Sequence, residues 1–266
     1  MEIRLSEKEK YVIDEETYLN HYFYPGKELS DEEVLLLKRA SKDKKASDYL
    51  SSLLLRGRYT YHQLFEKLEK KFPSLSEKEI KSLLSPYVAN GLIDDKSYAV
   101  DFASSREEQA YGSKAILAEL KKRGVNEEIR SSPEVKEAIS SAPEALSLYV
   151  DSLYKRKSSI PNKKKKEMIS ASLLRRGFSY SEIESALKEK ESEKTEEERE
   201  AERKEETSTL KKEAKKCYNS LTHASSFLAL DKRERRKKMM EKLLRKGFAY
   251  EEVVSELDNK EEYSEL

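Results

Sequence analysis

From Ser30 onward, apolar residues recur three and four positions apart, the spacing that places them on one face of an α-helix. The first thirty residues differ. Here Ile3 and Leu5, then Tyr11, Val12 and Ile13, then Tyr18 to Tyr24 form short β-branched and aromatic runs, which predict two or three strands closed by a turn at Pro25 and Gly26. A helix near 31 to 42 follows, and then four three-helix units near 44 to 92, 93 to 142, 143 to 190 and 207 to 260. The third unit carries its apolar face on Leu146, Tyr149, Val150, Leu153, Ile169, Leu173, Ile183 and Leu187. The fourth offers Leu210, Ala214, Cys217, Leu221, Met239, Met240, Leu243, Leu244, Val253 and Leu257.

The units repeat a helix-turn-helix corner. "LLRRGFSYSEIESALKEK", residues 173 to 190, returns as "LLRKGFAYEEVVSELDNK", residues 243 to 260, identical at ten of eighteen positions. Gly177 is placed for a left-handed helix end, Ser179 and Glu182 for a capping box, and Phe178 with Ile183 for a hydrophobic staple. In the second copy Gly247, Phe248, Glu252 and Val253 hold those places, but Ala249 replaces the capping Ser, which predicts a weaker helix start. Upstream, Ser76 and Glu79 predict another capping box with Leu75 and Ile80 as its staple, and Thr60 with Gln63 caps the preceding helix. A rival register pairs "LLLRGRYTYHQLFEKL" with the repeat, but it leaves the helix from Ser76 outside any three-helix unit. In the second unit the "ELKKRGV" helix end is followed by an irregular third helix, with Ser132 as cap, Pro133 first, and Val135, Ala138 and Ile139 inward.

Composition agrees with small modules rather than one deep core: 39% of residues are charged and only 36% belong to the set AVILMFWYC. The lone Cys217 forms no intramolecular disulfide framework. No signal peptide or long apolar run is recognisable, so a cytoplasmic protein is expected. The formal net charge of +1 conceals a patterned distribution. Residues 155 to 176 hold nine Lys or Arg against one Glu, residues 232 to 247 hold nine against two, and residues 188 to 206 hold ten Glu against six basic residues. The last stretch predicts either a solvated helix or a flexible spacer.

Little in the chain points to catalysis. His21, His62 and His223 are far apart and lack finger-like Cys partners, so no metal is expected. Gly91, Gly124, Gly177 and Gly247 each fall where a helix stops, leaving no phosphate loop, and no nucleophile elbow occurs. Asp94 and Asp95 start a helix, where carboxylates cap free amides, and Tyr98 with Phe102, one turn apart, suit a core. The basic patches are more informative. Arg175, Arg176, Arg245 and Lys246 suit helix C-termini, whereas Lys163, Lys164, Lys165 and Lys166 occupy a first turn and oppose its dipole. That placement favours an external anion, either phosphate or an acidic protein surface, over the competing reading of a charge run that is simply solvated.

The run "GLIDDKSYAVDFASSREEQAYGSKAILAELKKRGV" resembles the second repeat of the bacterial RecX family, regulators of the RecA recombinase. It shares the Asp-Asp helix start, Tyr98 and Ala99, Gly112, and the "ELKKRGV" ending. The "LLRRGF" and "LLRKGF" corners resemble the family's later repeats, and the likeness covers residues 44 to 260. It implies a mainly α fold, an elongated tandem array of three-helix units with a small N-terminal β segment. The corresponding divisions are 1–30, 31–92, 93–142, 143–190, an acidic spacer at 191–206, and 207–266.

The resemblance also implies a non-catalytic monomer, without cofactor or membrane partner, that lies in the groove of the RecA filament on single-stranded DNA. There it modulates, usually inhibits, filament activity, and with it recombination, DNA repair and the SOS response. Candidate contacts to RecA or DNA are Lys163, Lys164, Lys165, Lys166, Arg175, Arg176, Arg233, Arg235, Arg236, Lys237 and Lys238. Two other readings compete: an independent helix-turn-helix DNA binder, disfavoured by third helices that are acidic rather than rich in Arg, Asn or Gln, and a scaffold for acidic proteins.

Overall fold

The computed structural model describes the chain apart from residues 7, 8, 141, 142, 157–159, 224–226, 228, 259–262 and 264–266. The last positions of the second and fourth repeats fall outside the described residues. Contacts divide the chain into two compact units, Met1–Ala103 with Leu117–Ala138, and Ser104–Ile116 with Ile139–Leu266.

In the first unit, β1 (Glu2–Arg4) and β2 (Lys10–Val12) pair antiparallel, with Ile3 opposite Tyr11. The third expected strand is instead a helix, α1 (Glu15–Asn20). Asp14 caps it by accepting from the Thr17 amide and hydroxyl, both at 2.7 Å, and Glu15 and Glu16 meet the positive end of its dipole. This cap overrides the strand preference of Tyr18. The helix expected near 31 to 42 continues as α2 (Asp31–Arg56), started by the Ser30–Glu33 capping box and crossed by no Gly or Pro. Its first half supports the hairpin: the Val12 amide donates to Ser41 Oγ at 3.0 Å, and Leu37 packs with Ile13 and Phe23.

The second half of α2 joins α3 (Tyr61–Lys71) and α4 (Glu77–Ala89) around Ala46, Leu50, Leu53, Leu64, Leu68, Leu75, Ile80 and Leu84. Both expected capping boxes, Thr60–Gln63 and Ser76–Glu79, are formed. The helix from Ser76 thus closes a three-helix core, which the rival register would not provide. Next come α5 (Asp95–Glu108), α6 (Ser113–Lys122), the single turn α7 (Glu127–Arg130) and α8 (Pro133–Ile139). Asp94 accepts from the Lys96 and Ser97 amides at 3.0 Å, whereas Asp95 reaches across to the Tyr61 amide at 2.7 Å and caps α3. Tyr98 and Phe102 stack with centroids 6.1 Å apart, and the Arg123 guanidinium covers them, 4.5 Å from the Phe102 ring. The pair is packing, not an open platform.

In the second unit, α9 (Pro143–Arg156), α10 (Asn162–Arg175) and α11 (Tyr180–Glu193) bury Val150, Leu153, Ile169, Leu173, Phe178 and Ile183, with Ala110 added from the end of α5's connection. The acidic stretch is helical: after a break at Lys194 and Thr195, α12 (Glu196–Thr222) runs as one element from the Thr195–Glu198 capping box. Its C-terminal half packs Leu210, Ala214 and Cys217 against α13 (Lys232–Lys246) and α14 (Tyr250–Leu257), joining Met239, Leu243, Phe248, Val253, Leu257 and Tyr263. Leu244, expected inside, is 37% exposed, because a residue one position beyond Leu243 is turned about 100° away from the core stripe.

Candidate nucleic-acid interface

The two corners of the second unit set out the basic residues. At the first, Gly177 sits at φ 87°, and Ser179 and Glu182 exchange hydrogen bonds, Ser179 N to Glu182 Oε2 at 2.6 Å and Glu182 N to Ser179 Oγ at 3.3 Å. At the second, Gly247 takes φ 98° and Ala249 offers no capping side chain. A Cβ on Gly177 would overlap Ala115, and one on Gly112 would overlap the Gly177 carbonyl. The Gly112 amide also donates to the Arg176 carbonyl at 2.8 Å. Backbone contact this close requires glycine on both sides.

The structure sorts the eleven candidate cations into two groups. Lys165 is buried at 6% exposure, its Nζ 3.3 Å from Asn162 Oδ1 and over the Tyr154 ring. Lys166 pairs with Glu191 at 3.3 Å. The anion that the start of α10 attracts comes from the chain itself: Glu206 of α12 accepts from Asn162 N at 2.9 Å and from Asn162 Nδ2 at 2.7 Å. Part of the charge that suggested an external anion is therefore answered internally.

Arg176 is a clamp, lying 3.9 Å from the Tyr149 ring centroid and 4.7 Å from that of Tyr111, and donating to the Gln109 and Ala110 carbonyls. Arg235 donates to the Leu230 carbonyl at 2.9 Å. Arg236 closes the end of α14 through the Leu257 carbonyl and Asp258, the latter at 2.6 Å. What remains for a partner is Lys163, Arg175, Arg233, Lys237 and Lys238, all exposed, with Lys164 half-buried. Lys163, Arg233, Lys237 and Lys238 have no side-chain partner among the described residues.

Sequence reasoning missed one basic face. Lys211, Lys212, Lys215 and Lys216 are exposed on α12, on the side away from Leu210, Ala214 and Cys217. The signal was present in the spacing of "KKEAKK", residues 211 to 216, since the pairs flank the apolar stripe. Lys216 and Lys246 both reach Glu213, and their hydrogen bonds, that of Lys246 foremost, hold its carboxyl below the ordinary range. Among the described residues no His, Cys, Asp or Glu cluster could hold a metal, and no helix is long and apolar enough to cross a membrane. A surface of this kind can neutralise phosphates or pair with carboxylates.

No protein-family model matches the chain. It is similar to curated proteins named Regulatory protein RecX. With that of Bacillus licheniformis it is 26% identical over 263 residues, covering 97% of this chain and 93% of the relative. With that of Bacillus subtilis it is 25% identical over 272 residues, covering 98% and 93%. With that of Caldanaerobacter subterraneus it is 30% identical over 119 residues, covering 45% and 59%. A solved structure described as a crystal structure of regulatory protein RecX superposes with a TM-score of 0.52 at 20% identity, covering 66% of this chain and 86% of that one, and shares its helical fold.

Proposed function

From the chain's membership of the RecX family, carried by a likeness along nearly its whole length, we propose that it regulates the RecA recombinase and catalyses no reaction of its own. In this reading it binds as a monomer in the groove of the RecA filament on single-stranded DNA, in the cytoplasm. It restrains ATP hydrolysis and strand exchange, and through them recombination, repair and the SOS response. The repeat supports this: an offset of seventy residues carries Lys163 onto Arg233 and Arg175 onto Arg245, so equivalent corners offer equivalent exposed cations. Tandem units that repeat one surface suit a filament that repeats one subunit.

The test follows ATP hydrolysis by preformed RecA filaments on single-stranded DNA as the protein is added at substoichiometric amounts. A variant carrying Lys163→Glu, Arg233→Glu, Lys237→Glu and Lys238→Glu reverses only exposed, unpaired charges and leaves Lys165 and Arg176 in their structural places. A dose-dependent fall in hydrolysis, blunted in the variant, is expected. An unchanged rate with a cognate filament sinks the reading.

A further inference from the structure

Each corner of the second unit holds two aromatic residues with opposite fates. Phe178 and Phe248 are buried as staples, at 7% and 2% exposure, whereas Tyr180 and Tyr250, two residues later, are 77% and 60% exposed. The tyrosines occupy the first position of α11 and of α14 and are related by the repeat offset. Neither belongs to a core cluster. A ring left in water twice at one repeat position, while its neighbour is buried twice, is not explained by packing.

Their surroundings supply the partner's chemistry. Five residues before each ring is an exposed arginine at the end of the preceding helix, Arg175 or Arg245. Five residues span no more than about 18 Å, so the backbone positions of cation and ring lie within that distance, the spacing of a few nucleotides at most. An exposed aromatic face beside a cation, repeated along a chain, matches single-stranded nucleic acid, in which bases stack on rings while phosphates meet Lys and Arg. Double-stranded DNA has no free base face to offer, and an acidic protein would use the cations without the rings.

We propose that Tyr180 and Tyr250 are base-stacking sites for single-stranded nucleic acid, one at each repeated corner, with Arg175 and Arg245 as their phosphate partners. The inference rests on the nucleic-acid side of the function proposed above and is tested separately from it. Fluorescence anisotropy with labelled oligothymidylate, and with an abasic strand of equal length, is measured at low salt on the full chain, with circular dichroism confirming the fold of each variant.

The double variant Tyr180→Ala, Tyr250→Ala is expected to lose at least about fivefold in affinity for oligothymidylate, with its salt dependence unchanged. Tyr180→Phe, Tyr250→Phe should bind as the wild type does, and the abasic strand should not distinguish wild type from the Ala variant. Equal binding of oligothymidylate by wild type and Ala variant, an equal loss on the abasic strand, or no binding of the naked strand by the wild type would each overturn the proposal. Filament hydrolysis is an independent readout: a wild type that restrains the filament while its Ala variant binds oligothymidylate normally refutes stacking and leaves the regulator intact.

Discussion

Replacing Ala249 by Ser should complete a capping box that the second corner has half built. The backbone at Ala249, φ −70° and ψ 148°, is close to that of Ser179, φ −77° and ψ 161°, and Glu252 stands three residues after Ala249 as Glu182 does after Ser179. What the second corner lacks is an oxygen for the Glu252 amide, the bond that Ser179 Oγ makes at 3.3 Å in the first. Ala249 is exposed, so a hydroxyl there meets no packed neighbour. A cap of this type contributes about 1 kcal/mol, and at 1.36 kcal/mol per decade that is a factor of about five in the opening equilibrium of α14.

Because the chain forms two compact units, one global unfolding free energy is poorly defined, and amide hydrogen exchange resolved over residues 250–257 is the appropriate assay. Ala249→Ser should slow exchange there about fivefold, and Ser179→Ala should speed it by a similar factor over the first turns of α11. Unchanged exchange in α14 alongside faster exchange in α11 would show that the two corners are not equivalent and refute the reasoning.

Two further outcomes follow from the same unit and its neighbour. Gly177→Ala forces a side chain onto φ 87° and into Ala115, whereas Gly91→Ala meets φ 70° in open space. The first should cost roughly 2–4 kcal/mol and the second about 1 kcal/mol, read from hydrogen exchange in the helices that flank each glycine. Burial, followed by the carboxylates of Glu191 and Glu202, pushes the Tyr154 phenol up to about 12, and its hydroxyl has no hydrogen-bond partner among the described residues. A raised pKa means that the fold favours the neutral phenol, so its contribution is complete below about pH 10 and is lost as pH rises through 12. Tyr154→Phe should therefore leave hydrogen exchange in α9 and α10 at pH 8 no faster and should reduce the loss of α9–α11 helicity, followed by circular dichroism in urea, between pH 8 and pH 11; an equal loss in both proteins would refute the assignment.

The corners are legible in the sequence because their signals are local. A Ser three residues before a Glu, a Gly after a helix and apolar residues four apart each act within one or two turns, and Ser76, Ser179, Ile169 and Leu173 sit where that logic puts them. The N-terminal helix escapes a strand reading because Asp14, Glu15 and Glu16 outweigh the tyrosines that follow. The basic patch is only partly legible because its neutralising partners are remote. Glu206 is 44 residues from Asn162, and the carbonyls that hold Arg176 lie 66 and 67 residues upstream. No pattern in "KKKK" distinguishes a lysine packed on Tyr154 from one facing solvent.

Helix α12 uses a single face along its length, but the chemistry of that face changes midway. Toward its start, Arg199 donates to the Glu191 carbonyl, Glu202 pairs with Lys194 at 2.7 Å, and Glu206 holds Asn162; further on, Leu210, Ala214 and Cys217 are packed among apolar side chains. Dissolved salt weakens the polar end more than the apolar one, within the limit set by the partial burial of the Lys194–Glu202 pair. The helix is therefore a splint with one ionic end and one hydrophobic end. Raising the ionic strength is expected to loosen its hold on α10 and α11 before it disturbs the bundle at the far end.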